Sequence, residues 1–156
     1  MDHIITVSEF SKKDLMKHYS CSPDNITVTY GAADSLFSQE NVKPFAELKK
    51  HFAIGESYFF YMGGLEDRKN IDFLIQSFMQ LDHSGKQLVV GGGANSSVEM
   101  FKKKYSQLVS KGELHFLGYI QDEWLPSLYY FARCFVYLSL YYFARCFVYL
   151  SLYEGF

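Results

Sequence analysis

Short apolar runs that alternate with helix-length segments predict an α/β fold, a parallel sheet flanked by helices. Two further observations point the same way. The runs Tyr58–Met62, Gln87–Val90 and Leu114–Phe116 each meet glycine within two residues of their ends, where a strand gives way to a turn. Over 156 residues, 49% are hydrophobic, enough apolar surface for one packed domain.

The elements follow in order. His3–Val7 reads as a short strand, and Ser8 caps a helix running to about Tyr19, with Glu9 and Asp14 among its early polar residues. A second strand covers Ile26–Thr29 and stops at Gly31. From Ala32 to Pro44 the composition turns polar, with Asp34, Ser35, Ser38, Gln39, Glu40 and Asn41, and reads as a linker. A basic helix from Pro44 to about His51 precedes the strand Tyr58–Met62, and a helix over Ile71–Leu81 precedes the strand Gln87–Val90. A helix over Ser97–Ser110, the strand Leu114–Phe116 and a helix over Asp122–Ala132 complete the alternation. The expected division is 1–36 as the end of one domain, 37–50 as a linker region and 51–156 as most of a second domain.

The tail breaks this regularity. Residues 128–139 read LYYFARCFVYLS, and residues 140–151 repeat all 12 letters. This is no solenoid, which needs several units of about 20 to 50 residues. Twelve residues make about 3.3 helical turns, so lengthening the helix by one unit would turn its apolar face by about a third of a turn. One copy must therefore be extruded, looped or repacked. The second copy joins Tyr153-Glu154 directly and is expected to take the strand position.

Composition bounds the chemistry. A net charge of −2 gives no electrostatic reason to expect nucleic acid, and Lys102-Lys103-Lys104 reads as a solvated helix face. Cys21, Cys134 and Cys146 are odd in number and lack CxxC spacing, so free thiols in a reducing cytosol are expected, with no legible leader peptide. Arg133 and Arg145 interrupt the apolar tail, which argues against a membrane span. The five histidines share no metal-ligand spacing, and GxSxG and HExxH are absent from the sequence.

In a parallel sheet, ligands bind outside the carboxyl ends of the strands. After Met62 come Gly63 and Gly64, which allow close backbone approach, and then Arg68 and Lys69 at a helix start. Two cations beside exposed backbone N–H groups suit a diphosphate; they also fit plain surface charge in a loop. Gly91-Gly92-Gly93 fits either a phosphate cradle or a simple turn, and it lacks the GxGxxG spacing of a dinucleotide site. Gly118-Tyr119 could lay backbone or ring against a nucleobase, and Tyr119 equally fits rim packing.

These segments, taken in order, carry a resemblance. Ile4-Ile5-Thr6-Val7-Ser8-Glu9-Phe10-Ser11-Lys12, Ile26 to Asp34, Gly63-Gly64-Leu65 to Arg68-Lys69-Asn70, Phe116 to Tyr119, and Leu152-Tyr153-Glu154-Gly155-Phe156 together resemble the retaining GT-B glycosyltransferases of the group 1 (family 4) type. The resemblance covers nearly the whole chain and implies a two-domain enzyme with Rossmann-like domains. Such an enzyme transfers a hexose from a GDP- or UDP-sugar donor to an acceptor glycan or lipid, with no obligatory metal and no other cofactor. This chain would hold the last βαβ unit of the acceptor-side domain and most of the donor-binding domain.

By the same resemblance, Gly63, Gly64, Arg68 and Lys69 hold the donor diphosphate, Gly118, Tyr119 and Ile120 lie near the base, and Glu154 is the catalytic-site residue that contacts the donor sugar. A cytoplasmic location is implied, with peripheral membrane association of the longer parent. The family pattern continues past Phe156 with a glycine, a proline and a second glutamate, so the parent is expected to be the catalyst and this chain alone inactive. A different class of reading is a non-catalytic remnant or interaction module without a ligand.

Overall fold

The structure, a computed structural model, describes residues 3–82, 85–137 and 147–149. The chain divides into two compact units, Met1–Ser35 and Leu36–Phe156.

In the first unit, β1 (Ile4–Thr6) pairs in parallel with β2 (Ile26–Val28), Ile4 opposite Ile26. The helix α1 (Glu9–Tyr19) connects them. Ser8 caps it as the sequence predicts, its hydroxyl accepting from the Ser11 N–H at 3.1 Å, and Ser20 ends it in the left-handed conformation. Lys12 Nζ donates to the Ile26 carbonyl at 2.8 Å, tying helix to strand.

In the second unit, α2 (Phe45–Phe52) leads to β3 (Tyr58–Met62), α3 (Ile71–Gln80) to β4 (Gln87–Gly91), and α4 (Asn95–Lys104) with α5 (Ser106–Ser110) to β5 (Leu114–Gly118). The helix α6 (Leu125–Phe131) then returns the chain to β6 (Cys134–Tyr137), and β7 (Phe147–Tyr149) lies at the edge. The sheet order is β5-β4-β3-β6-β7. The first four strands in that order are parallel, and β7 is antiparallel to β6.

Because both sheet faces are covered, the strands are apolar on both sides. Along β3, Tyr58 and Phe60 face one core with Leu48 of α2 and Leu128 of α6, while Tyr61 faces the other with Leu74, Ile75 and Phe78 of α3. Along β4, Leu88 and Val90 alternate with Val89 in the same way. The result is a three-layer sandwich. Two buried polar contacts fix the second layer: Tyr58 donates its hydroxyl proton to the Leu128 carbonyl at 2.8 Å, and the Ser127 hydroxyl accepts from the Lys43 N–H at 2.8 Å. Trp124, the single tryptophan, has Lys43 Nζ over its ring at 4.2 Å and His51 stacked on it at 4.4 Å.

The helix expected from Pro44 forms as α2, with Leu48 fully buried, and Phe37 packs edge-on against Tyr129. Three expectations change. The helix expected over Ser97–Ser110 breaks at Tyr105, whose hydroxyl donates to Asp72 Oδ1 at 2.6 Å and whose backbone leaves helical geometry. The helix expected from Asp122 opens as a 3-10 turn over Asp122–Trp124 before α6 begins. The first copy of the repeat, and not the second, takes the strand position beside β3, with Phe59 opposite Cys134. Its strand follows α6 almost at once, and the Arg133 N–H donates to the Tyr58 carbonyl at 2.8 Å, so the first copy reaches the open edge of β3 before the second can. The second copy adds β7 outside it, Phe135 opposite Tyr149.

Cys21 is a free thiol, Cys134 is buried, and Cys146 lies outside the described residues. Among the described residues, no helix is long and apolar enough to cross a membrane.

Candidate functional site

The strand order reverses at β3. From β3 the chain builds outward through β4 to β5, then crosses back to place β6 on the other side of β3. The connection leaving β3 goes to α3 on one face, and the connection entering β6 comes from α6 on the other. Such a reversal leaves a crevice outside the carboxyl ends of the two strands, which is where open parallel sheets bind ligands.

Glycines floor the neighbouring strand ends. The Gly63 N–H donates to the Gly91 carbonyl at 3.1 Å, and the Gly92 N–H donates to the Gly118 carbonyl at 2.6 Å, lacing the ends of β3, β4 and β5 together. Gly92 has φ +89°, and a Cβ there would strike the Gly63 carbonyl oxygen, so glycine is needed for both conformation and space. At Gly118, φ is +65° with open space around it, so only conformation requires glycine.

The basic pair follows this floor. Leu65 anchors the turn in the core, and Asp67–Lys69 form one 3-10 turn closed by Asn70 in the left-handed region, φ 49° and ψ 43°. Asn tolerates that conformation because its short polar side chain costs little there. Arg68 is exposed and Lys69 half-buried. Lys69 donates a hydrogen bond to the Tyr137 hydroxyl and lies 4.2 Å from the centre of the Tyr137 ring. Tyr61 donates to the Gly64 carbonyl at 2.8 Å and stacks on Tyr137, ring centres 6.5 Å apart. Burial pushes the Tyr61 phenol up, Tyr137 and Glu66 add to the rise and Arg68 opposes it, so its hydroxyl stays protonated as a donor. The Glu66 carboxylate lies over Gly64.

The other expected residues divide. Gly118 and Tyr119 sit at the end of β5, with Tyr119 81% exposed and available to a planar ligand. The Ile120 side chain is 2% exposed and packs with Val89 and Trp124, so any contact it makes with a base would come from its backbone. Glu154 lies outside the described residues. Sequence reasoning did not single out Tyr61, Glu66 or Tyr137, which cluster around the basic pair. Glu66 lies next to the basic pair in its own turn and Tyr61 on the strand leading into it, whereas Tyr137 becomes its neighbour only through the pairing of β6 with β3.

Together the parallel sheet and its flanking helices define a Rossmann-like domain with the fold of GT-B proteins. The chain belongs to the family of group 1 glycosyl transferases, whose pattern it matches over residues 44–156. It is 30% identical over 140 residues to the O-antigen chain mannosyltransferase B of Escherichia coli, covering 87% of this chain and 37% of that protein. Among solved structures, the fold resembles WaaG, a glycosyltransferase of lipopolysaccharide biosynthesis, with TM-score 0.68 and 17% identity, over 87% of this chain and 38% of WaaG. It also resembles Anabaena HepE in complex with UDP and glucose, with TM-score 0.66 and 16% identity, over 88% of this chain and 38% of HepE. The chain thus spans a little over a third of the length of these relatives.

Proposed function

We propose that this chain is the donor-binding part of an enzyme that transfers a hexose from a nucleoside-diphosphate sugar to a glycan or lipid acceptor. The observation that carries the reading is the reversal of strand order at β3, whose carboxyl-terminal turn brings two glycines and two cations together. The turn at Gly63 and Gly64 lies beside the diphosphate, and Arg68 and Lys69 neutralise its charge. The developing negative charge on the departing nucleoside diphosphate is the main electrostatic problem of such a transfer, and fixed cations there lower its barrier. With two cations in place, no divalent metal is required in this reading. Gly118 and Tyr119, with the backbone of Ile120, receive the base, and Glu154 contacts the sugar. HepE binds UDP and the E. coli relative is a mannosyltransferase, which supports a UDP- or GDP-hexose donor. The enzyme would work in the cytoplasm, with peripheral contact to a membrane where the acceptor is a lipid.

The test is a titration of the chain with GDP and with UDP, followed by amide NMR. Shifts are expected at Gly63, Gly64, Lys69 and Gly118, and their loss in the Arg68→Ala, Lys69→Ala double variant. Absence of shifts with both nucleotides would overturn the reading.

A further inference from the structure

Lys69 is held by a residue from the far side of the crevice. Tyr137 ends β6, and its hydroxyl accepts a hydrogen bond from Lys69, whose ammonium lies 4.2 Å from the ring centre. The ring in turn stacks on Tyr61, 13° from parallel, and Tyr61 donates to the Gly64 carbonyl at 2.8 Å. A chain of contacts therefore runs from the glycine turn through two tyrosines to the lysine. A lysine side chain in water samples many rotamers, and restricting it before binding removes an entropic cost that a ligand would otherwise bear.

We propose that Tyr137 is a positioning residue that holds the Lys69 ammonium at the mouth of the β3–β6 crevice, ready for a diphosphate. This deepens the donor-binding reading above and rests on it. The hydroxyl supplies direction, because a lone pair fixes one N–H vector and leaves the other two for a ligand. Position in the sheet supplies specificity: Tyr137 belongs to the first copy of the repeat, and its counterpart Tyr149 lies on β7, opposite Phe135 and one strand further from β3.

Two measurements on the whole chain decide it. In the absence of any ligand, the Lys69 side-chain ammonium should give a slowly exchanging NMR signal that Tyr137→Phe removes and Tyr149→Phe leaves in place. With inorganic pyrophosphate as the probe, Tyr137→Phe should weaken binding about three- to tenfold, the range expected for one orienting hydrogen bond. In a Lys69→Ala background it should have no further effect. Unchanged melting of Tyr137→Phe would show that the fold is intact. Equal binding by wild type and Tyr137→Phe, or losses produced by Tyr149→Phe instead, would overturn the proposal. Failure of the wild type to bind pyrophosphate would overturn the diphosphate reading itself, and the ammonium signal would still show whether Tyr137 holds Lys69.

Discussion

Gly92 shows how a single residue can be fixed by two demands at once. Its φ of +89° penalises any side chain, and the space a Cβ would fill already holds the Gly63 carbonyl oxygen. Gly92→Ala is expected to cost about 2 kcal/mol or more and to lower the melting temperature by several degrees, with chemical shift changes centred on Gly63. Asp72 gives a pH-dependent case. Burial raises its carboxyl pKa, but hydrogen bonds from Lys104 at 2.7 Å and Tyr105 at 2.6 Å, with the charge of Lys104, outweigh that and hold it below the ordinary aspartate value. A depressed folded pKa contributes stability above the unfolded value and loses it as pH falls through the folded one. The stability difference between wild type and Asp72→Asn should therefore be constant near neutrality and shrink below pH 3.8. It should be small, because the pair is half-exposed. Melting both proteins across pH 2 to 7 checks this, and a difference that grows on acidification would contradict it.

At the scale of elements, the β3–turn–α3 corner was legible because every signal in it is local: an apolar run, two glycines, a basic pair and an amphipathic helix. The break between α4 and α5 was not, since it depends on Tyr105 reaching Asp72 from 33 residues away. The junction of Lys69 and Tyr137 was illegible for the same reason, at a separation of 68 residues. The repeat marks the limit of local reading. Two identical segments carry identical propensities, so only their places along the chain can assign them, and the first copy is the one whose leading residue, Leu128, is already in α6 and in the core. Removing residues 140–151 should accordingly leave β3, β4, β5 and β6 in place. A variant lacking them should melt cooperatively within a few degrees of wild type by circular dichroism; loss of the cooperative transition would mean that β7 is needed to hold the sheet.

For the whole molecule, the two units differ in how much core they own. The second buries continuous apolar clusters on both sides of its sheet, whereas in the first no residue of α1 is buried, and Ile5, Phe10 and Tyr19 are each 74% exposed. A segment of that size cannot bury enough surface to fold firmly alone. Limited proteolysis should therefore cut within residues 1–35 first and leave a resistant product of 36–156, and the reverse order of cutting would contradict the division. Trp124 makes the same division visible by light. It is the only indole in the chain and sits at 9% exposure between α2 and α6, with a cation over its ring and an imidazole stacked on it. Its emission is an intrinsic, label-free gauge of the larger unit that is blind to changes in the secondary structure of the smaller one. A gap between fluorescence and circular dichroism transitions would thus measure directly how independently the two parts of this chain come apart.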